Sequence, residues 1–257
     1  MAQMKKITRW SFKTTLLLAI LIICSCGLFG TSEDAYLKNY TKAHEFMVQN
    51  RPAKAIPLYR RALKQKPDFA PVYPEIAVCF QQIAEDDSAI IYYEGAIVHN
   101  PANVDAYQSI GNIFYMKADY DNALIWYDRA TEVDQLYPRS YQNMGTIWLT
   151  RRDYRMAKRY FEMAIAVDAT YPRAYYGLGL VALAVGDTEE AESKFMDAIR
   201  VGSMPEAMYM LGQMNYDQNN YDKSKEWFEK YLEKEPSGEW ADKARDMLSI
   251  IEQKKEK

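Results

Sequence analysis

Residues 111–123 read G-N-I-F-Y-M-K-A-D-Y-D-N-A, and residues 145–157 read G-T-I-W-L-T-R-R-D-Y-R-M-A, the same frame displaced by 34 positions. The frame returns at Gly179 after another 34 residues and at Gly212 after 33, where it closes with N-Y-D-K-S at Asn220 to Ser224. The joints between frames match as well, Y-P-R-S-Y at Tyr137 to Tyr141 and Y-P-R-A-Y at Tyr171 to Tyr175. Self-similarity at this length marks a supersecondary unit that cannot bury its apolar face alone and stacks on copies of itself. Units of this length are helical pairs, and stacks of them usually serve as binding surfaces.

Extending the period in both directions gives six repeats, at 36–69, 70–103, 104–137, 138–171, 172–204 and 205–238. Positions 8, 20 and 27 of each repeat are expected where helices approach most closely, and small residues there permit the tight axial separation of about 8 to 10 Å. Of these 18 positions 17 hold Gly, Ala or Ser, the exception being Tyr231. A glycine inside a helix costs about 1 kcal/mol against alanine, so its use at four equivalent places says that packing outweighs propensity. Turn chemistry agrees. Pro67, Pro101 and Pro236 follow second helices, where a helix must stop, and Pro138, Pro172 and Pro205 open first helices, where the missing N–H is harmless. Beyond residue 238, Trp240, Ala244, Leu248 and Ile251 form one apolar stripe at helical spacing, with charges on the other side. The segment 239–257 therefore reads as a capping helix with a polar tail, which an open stack needs.

The pattern resembles the tetratricopeptide repeat. The third repeat supplies Tyr107, Ile110, Gly111, Phe114, Tyr120, Ala123, Tyr127 and Ala130. The second supplies Tyr73, Ile76, Ala77, Phe80, Ala89, Tyr93, Ala96 and Pro101, and the first Ala43, Phe46, Ala55, Tyr59, Ala62 and Pro67. The resemblance implies an all-α fold, a right-handed α-solenoid of six helix-turn-helix repeats with a C-terminal capping helix.

It also implies that the first helices line a concave groove with positions 2, 5, 6, 9, 12 and 13. In repeats three to five these are Asp105, Gln108, Asn112, Tyr115, Arg139, Gln142, Asn143, Thr146, Arg173 and Tyr176. Amides and guanidiniums in such a row can hold a peptide main chain or carboxylate, and tyrosines add contact area at low entropic cost. The expected partner is a protein or peptide; the alternative is a hydrated face with none. The carboxylate clamp of chaperone-binding family members would need cations where Gln108 and Gly177 stand, so only Asn112, Asn143 and Arg173 of that device are present. The first two repeats offer a less polar set, Tyr40, His44, Met47, Pro71 and Pro74.

No reaction chemistry stands out. His44 and His99 lack metal-ligand spacing, and neither a nucleophile elbow, a phosphate-binding glycine loop nor H-E-x-x-H is present, so neither catalysis, metal nor cofactor is expected. Asp86-Asp87 and Glu189-Glu190 read as acids complementing helix starts, and Trp126, Trp148 and Trp227 as core residues. Cys79 stands alone in the repeat region, which excludes an intramolecular disulfide framework there and suits a small core residue. Formal net charge is −3. Lys5, Lys6, Arg9 and Lys13 all precede the apolar N-terminal run; removing these four leaves −7 for the rest, no footprint for nucleic acid.

That N-terminal run has a basic start, an apolar stretch from Thr14 to Cys24 and then Ser25-Cys26, the order of a secretory signal. The end resembles a bacterial lipobox, with Ile23 at −3 and Ser25 at −1 if Cys26 is the lipidated residue. The resemblance implies a signal peptide over 1–25, acyl chains on Cys26 and a flexible tether over 26–35. Several chains anchor stably where one does not. An uncleaved signal anchor and plain secretion are the alternatives. A lipid-anchored protein of the bacterial cell envelope follows, and Gly27, which is not an acidic inner-membrane retention signal, leans the assignment to the outer membrane facing the periplasm. Two roles fit this layout: a scaffold for envelope assembly similar in architecture to the pilotin lipoproteins of type IV pilus secretins, or an adaptor for an envelope protease or peptidoglycan enzyme.

Overall fold

The computed structural model describes residues 33–255. These form thirteen α-helices and no strand among the described residues. In order they are α1 (Glu33–Val48), α2 (Pro52–Gln65), α3 (Val72–Gln82), α4 (Asp86–His99), α5 (Val104–Met116), α6 (Tyr120–Val133) and α7 (Pro138–Thr150). Then come α8 (Tyr154–Val167), α9 (Pro172–Val185), α10 (Thr188–Gly202), α11 (Pro205–Asp217), α12 (Tyr221–Lys234) and α13 (Glu239–Lys255). The chain forms two compact units, one up to Tyr92 and one from Tyr93, so the seam falls inside α4. In the first unit α1 packs on α2 and α2 on α3. In the second, each helix from α5 packs on the next as far as α13, and α7 also touches α9. This is the packing of a helix-turn-helix solenoid ending in a cap. The expected signal peptide and Cys26 lie outside the described residues. Among the described residues no helix is long and apolar enough to cross a membrane.

The core repeats as the sequence does. Position 24 of each repeat holds an aromatic residue that is almost wholly buried: Tyr59, Tyr93, Tyr127, Phe161, Phe195 and Phe228. What the glycines admit is this ring and not a second backbone. A Cβ on Gly111 would lie 2.5 Å from Tyr127, on Gly145 2.8 Å from Phe161, on Gly179 2.5 Å from Phe195 and on Gly212 2.8 Å from Phe228. Phe161 is held from two sides, because a Cβ on Gly177 of the following repeat would come within 2.4 Å of the same ring.

The turn inside each repeat is built one way throughout. Asn50, Ala84, Ala118, Arg152, Gly186 and Asn219 all have positive φ, between 54° and 84°, although only one is a glycine. Each closes a Schellman motif. At Ala118, for example, the Ala118 N–H meets the Tyr115 carbonyl and the Asp119 N–H meets the Phe114 carbonyl, both at 2.9 Å. The next residue then opens the second helix: the carboxylates of Asp119, Asp153 and Asp187 accept the N–H of Asn122, Met156 and Glu190. At the joints between repeats, Tyr137, Tyr171 and Met204 precede a proline at the first helical position, which pushes them into extended backbone and sets the entry to α7, α9 and α11.

Two readings of the core need adjusting. Trp126, Trp148 and Trp227 are only half-buried, each with a cation over its ring: Arg129 at 4.6 Å, Arg151 at 5.4 Å and Lys230 at 4.3 Å. On α13 the buried stripe is Ala241, Ala244 and Ile251, with Leu248 at its edge, whereas Trp240 remains 48 % exposed. Its ring stands edge-on to Tyr209, with centroids 4.6 Å apart. Cys79 is buried as expected, beside Met47, and burial pushes its thiol pKa up to about 12, so it carries little thiolate. Ser224, small but polar at its slot, donates to the Gly212 carbonyl at 2.8 Å and is thereby satisfied.

Two stability outcomes follow. Gly145→Leu drives a branched side chain into a ring already held by Gly177, and should cost about 1 to 3 kcal/mol or more. Arg155→Leu on the exposed face of α8 should stay within about 0.5 kcal/mol; thermal and urea unfolding of the two variants checks the pair. Ala118→Gly relieves a left-handed penalty of about 1 to 2 kcal/mol while adding about 0.5 to 1 kcal/mol of backbone entropy. A net gain of about 0.5 to 1 kcal/mol is expected, visible as a raised denaturation midpoint at unchanged slope.

Candidate functional site

The polar row assigned to the first helices of repeats three to five falls entirely in the second unit, on α5, α7 and α9. Residues four apart on one helix share a face, which puts Gln108 above Asn112 on α5 and Gln142 above Thr146 on α7. Spacing of 34 then sets the helices side by side in register.

These side chains do not all face outward. Gln108 is 2 % exposed, and its Nε2 donates to the equally buried Ser140 Oγ at 2.5 Å. Asn143 donates from Nδ2 to Gln108 Oε1 at 3.0 Å and to Asn112 Oδ1 at 3.2 Å; Tyr127 Oη donates to the same Asn112 oxygen at 2.7 Å. A ladder of amides therefore joins α5 to α7. Gln108 is part of the packing and not of a binding surface, because a buried amide must find its partners inside the protein. Gln142 and Thr146 are likewise joined, Nε2 to Oγ1 at 2.9 Å. Tyr176 lies half-buried on Phe195, with centroids 5.6 Å apart, and Tyr115 on Tyr120 at 5.7 Å.

What the ladder leaves open is specific. Asn112 is exposed, and its Nδ2 makes no hydrogen bond to the described residues; the Oδ1 of half-buried Asn143 is equally unused. One donor and one acceptor on adjacent helices match the alternating C=O and N–H of an extended main chain. Arg139 and Arg173, at the same slot of α7 and α9, are exposed, and neither has a carboxylate within ion-pair distance among the described residues.

Two further residues belong here, and the sequence marks them only as joints. Tyr171 Oη reaches Gln142 Oε1 at 3.4 Å. Its pKa is raised, mainly by burial, while Arg139 and Arg173 both act to lower it, which places the two guanidiniums around this hydroxyl. Tyr137 Oη donates to Asp105 Oδ1 at 2.7 Å, under Arg139 at 5.7 Å from its ring. Burial first, and then this bond to Asp105, push its pKa up to about 12. One oxygen of Asp105 is thus engaged by this phenol. Gly177, where a clamp would need a cation, is filled from behind by Phe161. His44 is half-buried and His99 exposed, and among the described residues no three His, Cys, Asp or Glu side chains gather as a metal requires.

Known proteins with this architecture are numerous. The chain aligns with a structure of MamA at 21% identity and a TM-score of 0.54, over 62% of this chain and 93% of that one. With pilF of Pseudomonas aeruginosa the figures are 17% and 0.64, over 87% of this chain and 99% of that one. With PilW, described as a widely conserved type IV pilus biogenesis factor, they are 16% and 0.63, over 84% and 97%. At such identities the likeness is one of fold. A search of curated proteins finds no match. The tetratricopeptide repeat model matches at residues 40–78, 87–140, 144–204 and 180–239. With three quarters of its length covered by that model and its helices paired accordingly, the chain belongs to the tetratricopeptide repeat family.

Proposed function

We propose that this chain is a lipid-anchored scaffold of the bacterial cell envelope that holds a protein segment along α5, α7 and α9. Tetratricopeptide repeats are scaffolds for protein–protein interaction. The observation that carries the finer reading is the pair of exposed arginines without carboxylate partners, Arg139 and Arg173, beside the free donor of Asn112 and the free acceptor of Asn143. Guanidiniums left without an internal carboxylate are suited to carboxylate or main-chain oxygens of a bound segment. Anchoring rests on the sequence around Cys26, and the outer membrane facing the periplasm on Gly27 after it. A role in assembling a pilus secretin draws support from the fold shared with pilF and PilW. Affinity isolation with crosslinking from membranes tests the assignment: secretin subunits support it. Recovery of proteases or murein hydrolases replaces it with an envelope-enzyme adaptor.

Arg139→Ala together with Arg173→Ala should weaken partner capture at least tenfold, since each charge-assisted hydrogen bond contributes about 1.5 to 3 kcal/mol. Circular dichroism should be unchanged. Asn143→Ala is a poorer test, because it takes a donor from buried Gln108 and destabilises the α5–α7 contact by about 1 to 3 kcal/mol. Full affinity in the folded arginine variant, with loss on changing outer residues of the second helices, would place the partner elsewhere. Cys26→Ser should abolish labelling by radioactive fatty acid and release the protein from membranes or leave it unprocessed. An unchanged mass and label would remove the anchor.

A further inference from the structure

The repeat pattern breaks in three ways near its C-terminal end, and the three breaks converge on one place. The joint between α10 and α11 is two residues long, Ser203 and Met204, where the joints before α7 and α9 have four. Met204 stands where those joints have Tyr137 and Tyr171. On α12, Tyr231 takes the slot that is alanine in every other repeat. The short joint turns through Ser203 at φ 50°, and the space beside it is a cavity of about 500 Å³. Arg173, Ser203, Glu206, Tyr231, Glu235 and Trp240 are among the residues that line it.

The chemistry of the lining is uneven. Tyr231 is 6 % exposed, its ring is packed on Tyr209, and its hydroxyl has no hydrogen-bond partner among the described residues. Burial raises its pKa, and the charges of Glu235 and Glu206 add to the rise, so the hydroxyl sits in the negative potential of both carboxylates. Neither Glu206 nor Glu235 has a cation within ion-pair distance among the described residues, and both are exposed. Trp240 offers a half-exposed ring. Lys243, 5.6 Å from that ring, is already paired with Glu239 at 2.7 Å. Arg173 enters from α9 and keeps that part of the lining positive.

We propose that this cavity receives an arginine or lysine side chain from a bound protein segment, its cation between Glu206 and Glu235 and its aliphatic stem against Trp240. The Tyr231 hydroxyl accepts one of its N–H groups. A charged donor between two carboxylates forms the stronger class of hydrogen bond, and an indole face beside it adds a cation–π contribution. Arg173 repels a second cation and so fixes which end of the cavity is occupied. The proposal rests on the scaffold reading and adds to it a side-chain preference at one end of the bound segment.

The test uses the full chain in detergent, labelled with ¹⁵N at its Trp indoles. The probe is acetyl-Gly-Gly-Arg-Gly-Gly-amide, with citrulline and Glu versions of the same peptide beside it. The Trp240 signal, identified through Trp240→Phe, should shift saturably with the Arg peptide and stay still with the other two. Glu206→Gln with Glu235→Gln should raise the Kd at least tenfold, and Tyr231→Phe several-fold, at unchanged melting temperature. Arg173→Gln should lower the Kd. A Trp240 signal that stays still with the Arg peptide, an equal response to citrulline, or an unchanged Kd in the Gln variant overturns the proposal. Preference for the Glu peptide overturns it too, by making this an anion site built on Arg173. Loss of partner capture in the Arg139 and Arg173 double variant with a silent titration would sink the cavity and leave the scaffold standing. Saturable Arg binding with intact partner capture in that variant would keep the cavity and move the partner off the Arg139 and Arg173 surface.

Discussion

An aromatic ring seated on a glycine is the contact from which the second unit is assembled. Tyr127, Phe161, Phe195 and Phe228 each come from a second helix and lie where a methyl group on the first helix would collide with them. A ring brings a large apolar area, and these four lie so close to the first helix that a side chain there would collide with them. The missing side chain and the buried ring are therefore one device, and the cost of glycine in a helix is offset within the same contact. Every other regularity depends on it: the pairing angle puts the first helices in register, and the register aligns Asn112 with Asn143 and Arg139 with Arg173.

The turns show the same economy of parts. The residue at positive φ ends the first helix, and the aspartate after it both completes the Schellman motif and caps the second helix. Orphan polar groups of two helix ends are thus settled within one short turn. Ala118 and Arg152 tolerate the left-handed conformation because these hydrogen bonds over-determine it.

Much of the fold was legible because repetition turns a weak local signal into a strong one. One Gly in a helix says little; Gly111, Gly145, Gly179 and Gly212 at matching places say that something must fit against them. What fits was harder to read. Spacing shows that a small residue is needed but not whether a backbone or a ring approaches, and the answer here was the ring at position 24. The left-handed residues were hidden because Ala and Arg carry no mark of positive φ. In the candidate site, slot number put both arginines on the exposed side, but Gln108 was inseparable from them by polarity alone. Two polar residues that satisfy each other inside a helix crossing look, in sequence, like two residues waiting for a ligand.

Phe161 is shared between Gly145 of its own repeat and Gly177 of the next. In a linear array, stability divides into the intrinsic term of each repeat and the coupling between neighbours, and melting advances as a boundary between folded and unfolded segments. A boundary placed between α8 and α9 strips one side of this ring, so it is an expensive place for the front to halt. Fraying that begins at α13 can stop after releasing α11 and α12, but once it takes α9 it is drawn onward through α7. Repeats four and five are therefore expected to exchange their amide hydrogens together.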